Sequence, residues 1–242
     1  MDVYGHADMG VKQKDDKSPL TKADLAANEI ICNHLQKVTP AIPIISEEME
    51  VPAYEIRKEY KQYWLIDPLD GTKEFIKRNG EFTTNIALIE DGVPIAGFVY
   101  VPVKEEMYWA VSGKGAFKKT ATSEEKINAR VWDSRAEDII VTCSRSHLSD
   151  DTMFYINEFV NPQLLKVGSS LKLVLIAEGK ADVYPRLNQV SEWDVAAAHA
   201  ILIEAGGSLY QFPSEEPVVY NNRPSILMPH FVAEGVRKTI DR

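Results

Sequence analysis

Two aspartates three positions apart, Asp67 and Asp70, lie in the stretch WLIDPLDGTKEF, with Pro68 and Leu69 between them and Gly71-Thr72 directly after. The proline ring fixes one backbone angle, so both carboxylates and the Leu69 carbonyl can turn toward one point, an oxygen set that suits a hard cation such as Mg2+. Asp, Pro and Gly are also common turn formers, and a D-P-x-D-G read by itself is more often a turn with a helix cap. The residues that follow shift the balance. Gly71 and Thr72 would open a short helix whose free N–H groups and positive dipole end suit a phosphate oxygen, with the Thr72 hydroxyl placed to hold a water.

Other acids lie at spacings that can bring them to the same point. Ser46-Glu47-Glu48 ends a strand-like segment about twenty residues upstream, and an adjacent strand end would deliver Glu47 beside Asp67, although a Glu pair alone is usually solvated surface. Glu192-Trp193-Asp194 opens an Ala-rich helix, where Asp194 read alone is most economically an N-cap. A cap and a metal ligand are compatible if each uses one carboxylate oxygen. Asp24, three residues after Thr21, resembles the acidic member of a capping box. His6, His34, His147, His199 and His230 form no HExxH or other short ligand spacing, and no GxSxG or Walker A sequence occurs.

The elements that must carry these residues follow from periodicity. Residues 19–37 read as a helix, with Ala23, Ala27, Ile31 and Leu35 at four-residue steps. AIPII and YWLI read as short strands around a helical YEIRKEYKQ. TTNIALIE, the pair Asp91-Gly92 and VPIAGFVYVP read as a hairpin, followed by the strand MYWAVS and a GKG turn. Successive strands without helices predict an antiparallel sheet in the first half. After about residue 130, DIIVTCS, LLKVG and ADVYP alternate with the helical patterns DTMFYINEFV and SLKLVLIAEG, an α/β rhythm. WDVAAAHAILIEAGG ends on Gly206-Gly207 as a helix stop. The expected division is a 1–130 α+β domain with most of the metal ligands and a 131–242 α/β domain with Asp194, closely packed.

At 242 residues and 45% hydrophobic composition the chain can bury a sizeable core. No stretch approaches the roughly 20 apolar residues of a membrane helix, and MDVYGHADMGVKQKDD lacks a signal peptide's apolar region, so a cytoplasmic protein is expected, loose attachment to the cytoplasmic face of the inner membrane remaining open. Cys32 and Cys143 are too few for a disulfide framework and read as buried small residues. A net charge of −9 argues against non-specific nucleic-acid binding. It leaves room for a small anionic substrate if metals and local cations reverse the field at the site.

Taken together, SEEM, WLIDPLDGTKEF and EWDVAAAHA resemble the signature set of the lithium-sensitive, Mg2+-dependent phosphatase superfamily that includes inositol monophosphatase and fructose-1,6-bisphosphatase. Within it, Lys73-Glu74-Phe75 resembles the 3′(2′),5′-bisphosphate nucleotidases, inositol monophosphatases typically having Thr-Asn-Phe there. The similarity extends through SPLTKAD, FIKRNGEFTTNIALI, SRSH, GSSLK and YPR, from about residue 12 onward.

The resemblance implies a layered αβαβα sugar-phosphatase fold, with an antiparallel sheet and a mixed, mostly parallel sheet between helices, as a monomer or homodimer. It implies that Glu47, Asp67 and the Leu69 carbonyl hold one Mg2+, that Asp67, Asp70 and Asp194 hold a second, and that Glu47 shares in a weaker third. Thr72, oriented by Asp24, and Glu47 would position and deprotonate a metal-bound water. That water would attack the 3′-phosphate of adenosine 3′,5′-bisphosphate in line, with no phosphoenzyme. Gly71, Thr72 and Asp194 would face substrate, and His147, Ser169, Lys172 and Arg186 would surround the nucleotide.

Members of the superfamily usually carry an additional amphipathic helix before the point where MDVYG begins, so either a start upstream of Met1 or loss of a packing element is expected. An inositol or sugar phosphate is the rival substrate, and a non-catalytic nucleotide or metal sensor the rival from another class. An aspartyl-phosphate enzyme would need an Asp-x-Asp spacing that Asp67 and Asp70 do not have.

Overall fold

The computed structural model describes residues 1–6, 8–14, 19–145 and 148–238. A single helical turn, α1 (Asp2–Gly5), and the antiparallel pair β1 (Lys12–Gln13) and β2 (Pro19–Leu20) lead into α2 (Lys22–Val38). The capping box is present at the start of α2. Thr21 Oγ1 accepts from Ala23 N–H, and Asp24 Oδ2 accepts from Thr21 N–H at 2.8 Å.

A seven-stranded sheet follows: β3 (Ile44–Ser46), β4 (Gln62–Asp70), β5 (Thr83–Glu90), β6 (Val93–Val101), β7 (Glu106–Val111), β8 (Gly115–Lys119) and β9 (Glu124–Ile127), side by side in that order. All its pairings are antiparallel except β3 with β4, which run parallel. The β5–β6 hairpin turns at Asp91 and Gly92, both at positive φ, as the Asp-Gly pair predicts. Helix α3 (Tyr54–Arg57) is shorter than the periodicity of YEIRKEYKQ suggests, because Lys58–Lys61 must turn the chain into β4. Helix α4 (Thr72–Lys77) follows β4 directly.

The second sheet is built from β11 (Ile140–Ser144), β12 (Gln163–Val167), β13 (Val183–Arg186), β14 (Ser208–Gln211) and β15 (Phe231–Glu234), while β10 (Val131–Trp132) pairs in parallel with β16 (Val236–Arg237). The spatial order is β12-β11-β13-β15-β14. Only β15 is reversed, so the sheet is mixed and mostly parallel. Helices α5 (Asp150–Ile156) and α6 (Leu171–Ala177), and a 3-10 turn at Glu192–Asp194 that leads into α7 (Ala196–Glu204), complete the chain.

Burial orders the layers. Cys32 and Leu35 of α2 pack on Trp64 and Ile66, covering the outer face of the first sheet. Helices α6 and α7 share one core with the inner faces of both sheets, among them Val99, Ala110, Tyr184 and Phe231. Ile156 of α5 packs on Val141, Cys143 and Val183 on the far face of the second sheet. The result is the expected αβαβα stack. Because α7 is covered on both sides, AAAHAILIE is apolar nearly all round instead of amphipathic. His199 is enclosed there, its Nδ1 3.0 Å from the Tyr220 hydroxyl. Residue 130 separates the two sheets but not this core, which draws on both halves. No helix among the described residues is long and apolar enough to cross a membrane.

Helix α7 comes close to the first sheet at Gly97 of β6, where an added Cβ would lie 2.1 Å from the Ala197 carbonyl oxygen and 2.9 Å from the Ala200 Cβ. Gly97→Ala should therefore lower unfolding stability by about 1–3 kcal/mol through overpacking, measurable by urea denaturation. Wild-type stability in that variant would mean that α7 can shift at no cost.

Candidate active site

The acidic residues meet because of backbone register. Parallel pairing sets Ser46 opposite Ile66, so the next residue of each strand, Glu47 and Asp67, emerges at the same end, with Glu47 N–H donating to the Ile66 carbonyl at 3.1 Å. Beyond Asp67 the β4–β5 ladder slips, from Asp67 opposite Asn85 to Asp70 opposite Thr83, and the extra residue at Pro68-Leu69 bends the chain. Leu69 N–H donates to Asp67 Oδ1 at 3.0 Å and Thr84 Oγ1 to the Pro68 carbonyl at 2.9 Å, fixing that bend. Gly71, at φ 92°, then opens α4; an L side chain there would be strained and would press on the Glu81 carbonyl.

Glu47, Asp67 and Asp194 each bring a carboxylate oxygen within 4.8 Å of the others. Asp194 arrives from the second half as the third residue of the 3-10 turn, its Oδ2 accepting from Ser191 N–H at 2.9 Å in a capping box. It is thus the acidic partner of the Ser191 cap rather than the N-cap of α7, and its other oxygen is left for the cluster. Asp70 lies outside this three-residue group. Its Oδ2 accepts from Ser170 N–H at 2.5 Å and from Asn85 Nδ2 at 3.4 Å, while it lines the same grooves as Asp194. The Thr72 hydroxyl donates to Asp24 Oδ1 at 3.2 Å and stands 3.4 Å from the Leu69 carbonyl.

Burial, reinforced by crowding of like charge, is the dominant electrostatic feature. Burial, then the charges of Glu47, Asp70 and Asp194, push Asp67 well above the usual carboxylate range. Burial with the charges of Asp70 and Glu47 pushes Asp194 up to about 8. Burial raises Asp70 only to about 6, because the Lys172 ammonium and the Ser170 and Asn85 hydrogen bonds favour its charged form. Lys14 Nζ lies 2.8 Å from Glu47 Oε1 and 2.6 Å from Glu48 Oε1. Burial opposes the Lys14 charge, but these hydrogen bonds outweigh it and raise its pKa. The donors are all oxygen, without Cys or His, and more negative charge is gathered than one ammonium offsets. That chemistry fits a hard divalent cation.

Two recesses open from the cluster. One, of about 160 Å3, runs past Asp70, Gly71, Ser169, Lys172 and Arg186 to Asp194. The other, broader at about 420 Å3, holds Glu47, Asp70, Gly71, Thr72, Arg186 and Asp194. Lys172 is held by the Ser169 carbonyl at 2.5 Å and lies over the Tyr184 ring, 5.4 Å from its centroid. Arg186 gives one N–H to the Gln189 carbonyl at 3.1 Å, while its buried Nε has no partner. His147 falls outside the described residues. Lys14, Asn85 and Ser170 carry no signal in the sequence: Lys14 has no local pattern, Ser170 meets Asn85 and Asp70 across 85 and 100 residues, and Asn85 reaches Asp70 only once β5 pairs with β4.

The inositol monophosphatase family profile matches residues 1–240. The chain belongs to the inositol monophosphatase family. Within that family it is 47% identical to the 3′(2′),5′-bisphosphate nucleotidase CysQ of Salmonella typhimurium, over 96% of this chain and 92% of the relative. The crystal structure of CysQ from Bacteroides thetaiotaomicron, a bacterial member of the family, superposes with a TM-score of 0.84 at 41% identity, covering 98% of this chain and 92% of that one. An IMPase/NADP phosphatase crystallised with Mg2+ and phosphate has the same fold, with a TM-score of 0.77 at 18% identity over 93% of this chain and 81% of that one.

The raised carboxyl groups set a pH dependence for the family member without added metal. Asp194 changes from about 3.8 in the unfolded chain to about 8 when folded, so between these values the native state binds the extra proton and stability falls as pH rises. His199, lowered by burial to about 4 from 6.5, works in the opposite sense only between those two values. From pH 7 to 9 in EDTA the thermal midpoint should therefore fall, and Asp194→Asn should flatten the decline. A midpoint that rises across that window would contradict the charge crowding.

Proposed function

We propose that this protein is a Mg2+-dependent phosphatase that cleaves the 3′-phosphate from adenosine 3′,5′-bisphosphate, giving AMP and inorganic phosphate by attack of water with no phosphoenzyme. The observation that carries the reading is the convergence of Glu47, Asp67 and Asp194 beside a recess that holds Lys172 and Arg186. The nucleotidase activity named for the CysQ relatives supports the substrate.

Glu47, Asp67 and the Leu69 carbonyl would hold one Mg2+, and Asp67, Asp70 and Asp194 a second, with Glu47 open to a weaker third. Bound Mg2+ supplies Lewis-acid charge that makes water a competent nucleophile near neutral pH and offsets charge on the transferring phosphoryl group.

The remaining roles belong to the chain. Because the Thr72 hydroxyl donates its hydrogen bond to Asp24, its oxygen is left to accept a hydrogen bond from the attacking water. Glu47 would take the water's other proton, which is then available to the departing 3′ oxygen of AMP. Gly71, which cannot be replaced without strain, brings the backbone of α4 close to the phosphate. Ser169, Lys172 and Arg186 would hold the 5′-phosphate through charge-assisted hydrogen bonds, the unpartnered Arg186 Nε among them, and His147 is assigned to the nucleotide on resemblance alone. The first half thus supplies most of the reacting groups and the second half supplies recognition and Asp194. A cytoplasmic location accords with this reaction.

Phosphate release from adenosine 3′,5′-bisphosphate, inositol 1-phosphate and fructose 1,6-bisphosphate, with and without Mg2+ and Li+, tests the proposal. The bisphosphorylated nucleotide should be preferred, with activity dependent on Mg2+ and inhibited by Li+. Preference for either sugar phosphate would overturn the substrate assignment, and tight nucleotide binding without turnover would favour a sensor. Asp70→Asn should cut turnover by orders of magnitude with the fold intact by circular dichroism, and near-normal activity would remove Asp70 from the ligand set.

A further inference from the structure

Glu192, two residues before Asp194, is fully buried. Both of its carboxylate oxygens accept from Asn221 N–H at 3.0 Å. Asn221 sits at φ 54°, a left-handed conformation that Asn tolerates better than most residues. Its side chain turns the other way: Oδ1 accepts from Arg57 Nη1, and Nδ2 donates to the Arg57 carbonyl at 2.6 Å. Arg57 is 1% exposed and also donates to the carbonyls of Arg223 at 3.0 Å and Pro224 at 2.6 Å. A buried carboxylate and a buried guanidinium are thus bridged by one asparagine, which gives a hydrogen-bond partner to each.

The chain placement gives this bridge its reach. Arg57 ends α3, in the connection between β3, which presents Glu47, and β4, which presents Asp67 and Asp70. Glu192 opens the short turn that presents Asp194. That turn is too short to be rigid by its own hydrogen bonds. It is held from outside by Glu192 N–H to the Ile226 carbonyl at 2.9 Å, by Met228 N–H to the Val190 carbonyl at 2.8 Å, and by the Glu192–Asn221–Arg57 bridge. Of these hydrogen-bonded ties, only the bridge reaches back to the half of the chain that carries the other acids, where it adds to the direct packing of the turn on β4 and β5. Buried ions are destabilising unless compensated, and an apolar contact would join the same elements without that requirement.

We propose that Asn221, bridging Arg57 and Glu192, is a positioning residue for Asp194, so that a buried network outside the site sets divalent-ion affinity where Asp194 is a ligand. The inference rests on the metal-binding reading above and adds to it the determinant of one ion's affinity.

The test is Mn2+ binding to the purified full-length chain without substrate, by calorimetry, in the wild type, Asn221→Gly, Asp194→Asn and the double variant. Glycine keeps the left-handed backbone and the N–H to Glu192 while deleting both side-chain bonds to Arg57. It should weaken one class of Mn2+ site by up to about 10-fold, the low end of the loss seen when a group bonded directly to a ligand is removed, and should add nothing in the Asp194→Asn background. Unchanged Mn2+ affinity in Asn221→Gly, with Asp194→Asn weakened, would sink this inference alone. An equal loss in both backgrounds would reduce Asn221 to a general structural role. Absence of Mn2+ binding by the wild type would remove the metal reading and this inference together. If Asn221→Gly does not fold, Glu192→Gln, which keeps an acceptor but not the charge facing Arg57, decides by the same comparison.

Discussion

Like charges held close in a low-dielectric pocket repel strongly, and the rest of this structure is organised to withstand that repulsion at one point. Asp67 is 1% exposed, with the carboxylates of Glu47 and Asp194 within reach of one cation. Nothing in such a cluster is stable by itself. It persists because each acid is presented by an element fixed elsewhere: Glu47 by a parallel strand pair, Asp67 by the centre of β4 before its bulge, Asp194 by a turn capped through Ser191. The fold supplies the work of confinement, and a divalent cation would be drawn to the site by the charge so confined.

The same argument explains how a chain of net charge −9 can be built to meet a polyanion. Overall charge acts at long range and is screened over about 10 Å at ordinary ionic strength. Within the recess the local inventory is different. Lys172 is pinned beside Asp70, lowering the pKa that burial would otherwise raise further, and Arg186 keeps an unpartnered donor. Acids that would hold cations and side-chain cations that would hold anions line the same recesses, so a phosphate there would meet positive charge from both sources.

The antiparallel strands of the first sheet, the Asp91-Gly92 hairpin and the Thr21–Asp24 capping box follow from period and turn chemistry, which are local properties of the sequence, whereas the parallel pairing of β3 with β4 does not. The five-layer stack was legible through resemblance, and the apolar sequence of α7 makes sense once the helix is seen covered on two sides. Less legible were features set by distant contacts. YEIRKEYKQ has helical periodicity over nine residues, yet only Tyr54–Arg57 is helical, because the chain must turn into β4. Asp194 reads as an N-cap but is the acid of a cap one turn earlier. Asn221 lies in a polar Tyr-Asn-Asn-Arg segment that reads as a loop, and its role in joining Arg57 to Glu192 depends on partners 164 and 29 residues away.

The site therefore takes its residues from both sides of residue 130. Glu47, Asp67 and Asp70 precede residue 130, and Asp194, Lys172 and Arg186 follow it. The contacts that join them are side-chain bonds such as Ser170 to Asn85 at 2.8 Å and Ser170 N–H to Asp70 at 2.5 Å. A carboxylate cluster completed only on docking opposes it by repulsion, while the shared core of α6, α7 and both sheets favours it through apolar burial. A cation bound between Asp67 and Asp194 would reverse the sign of the electrostatic contribution. A cation that binds only the folded arrangement would stabilise it by mass action, because only that arrangement offers ligands from both sides of residue 130.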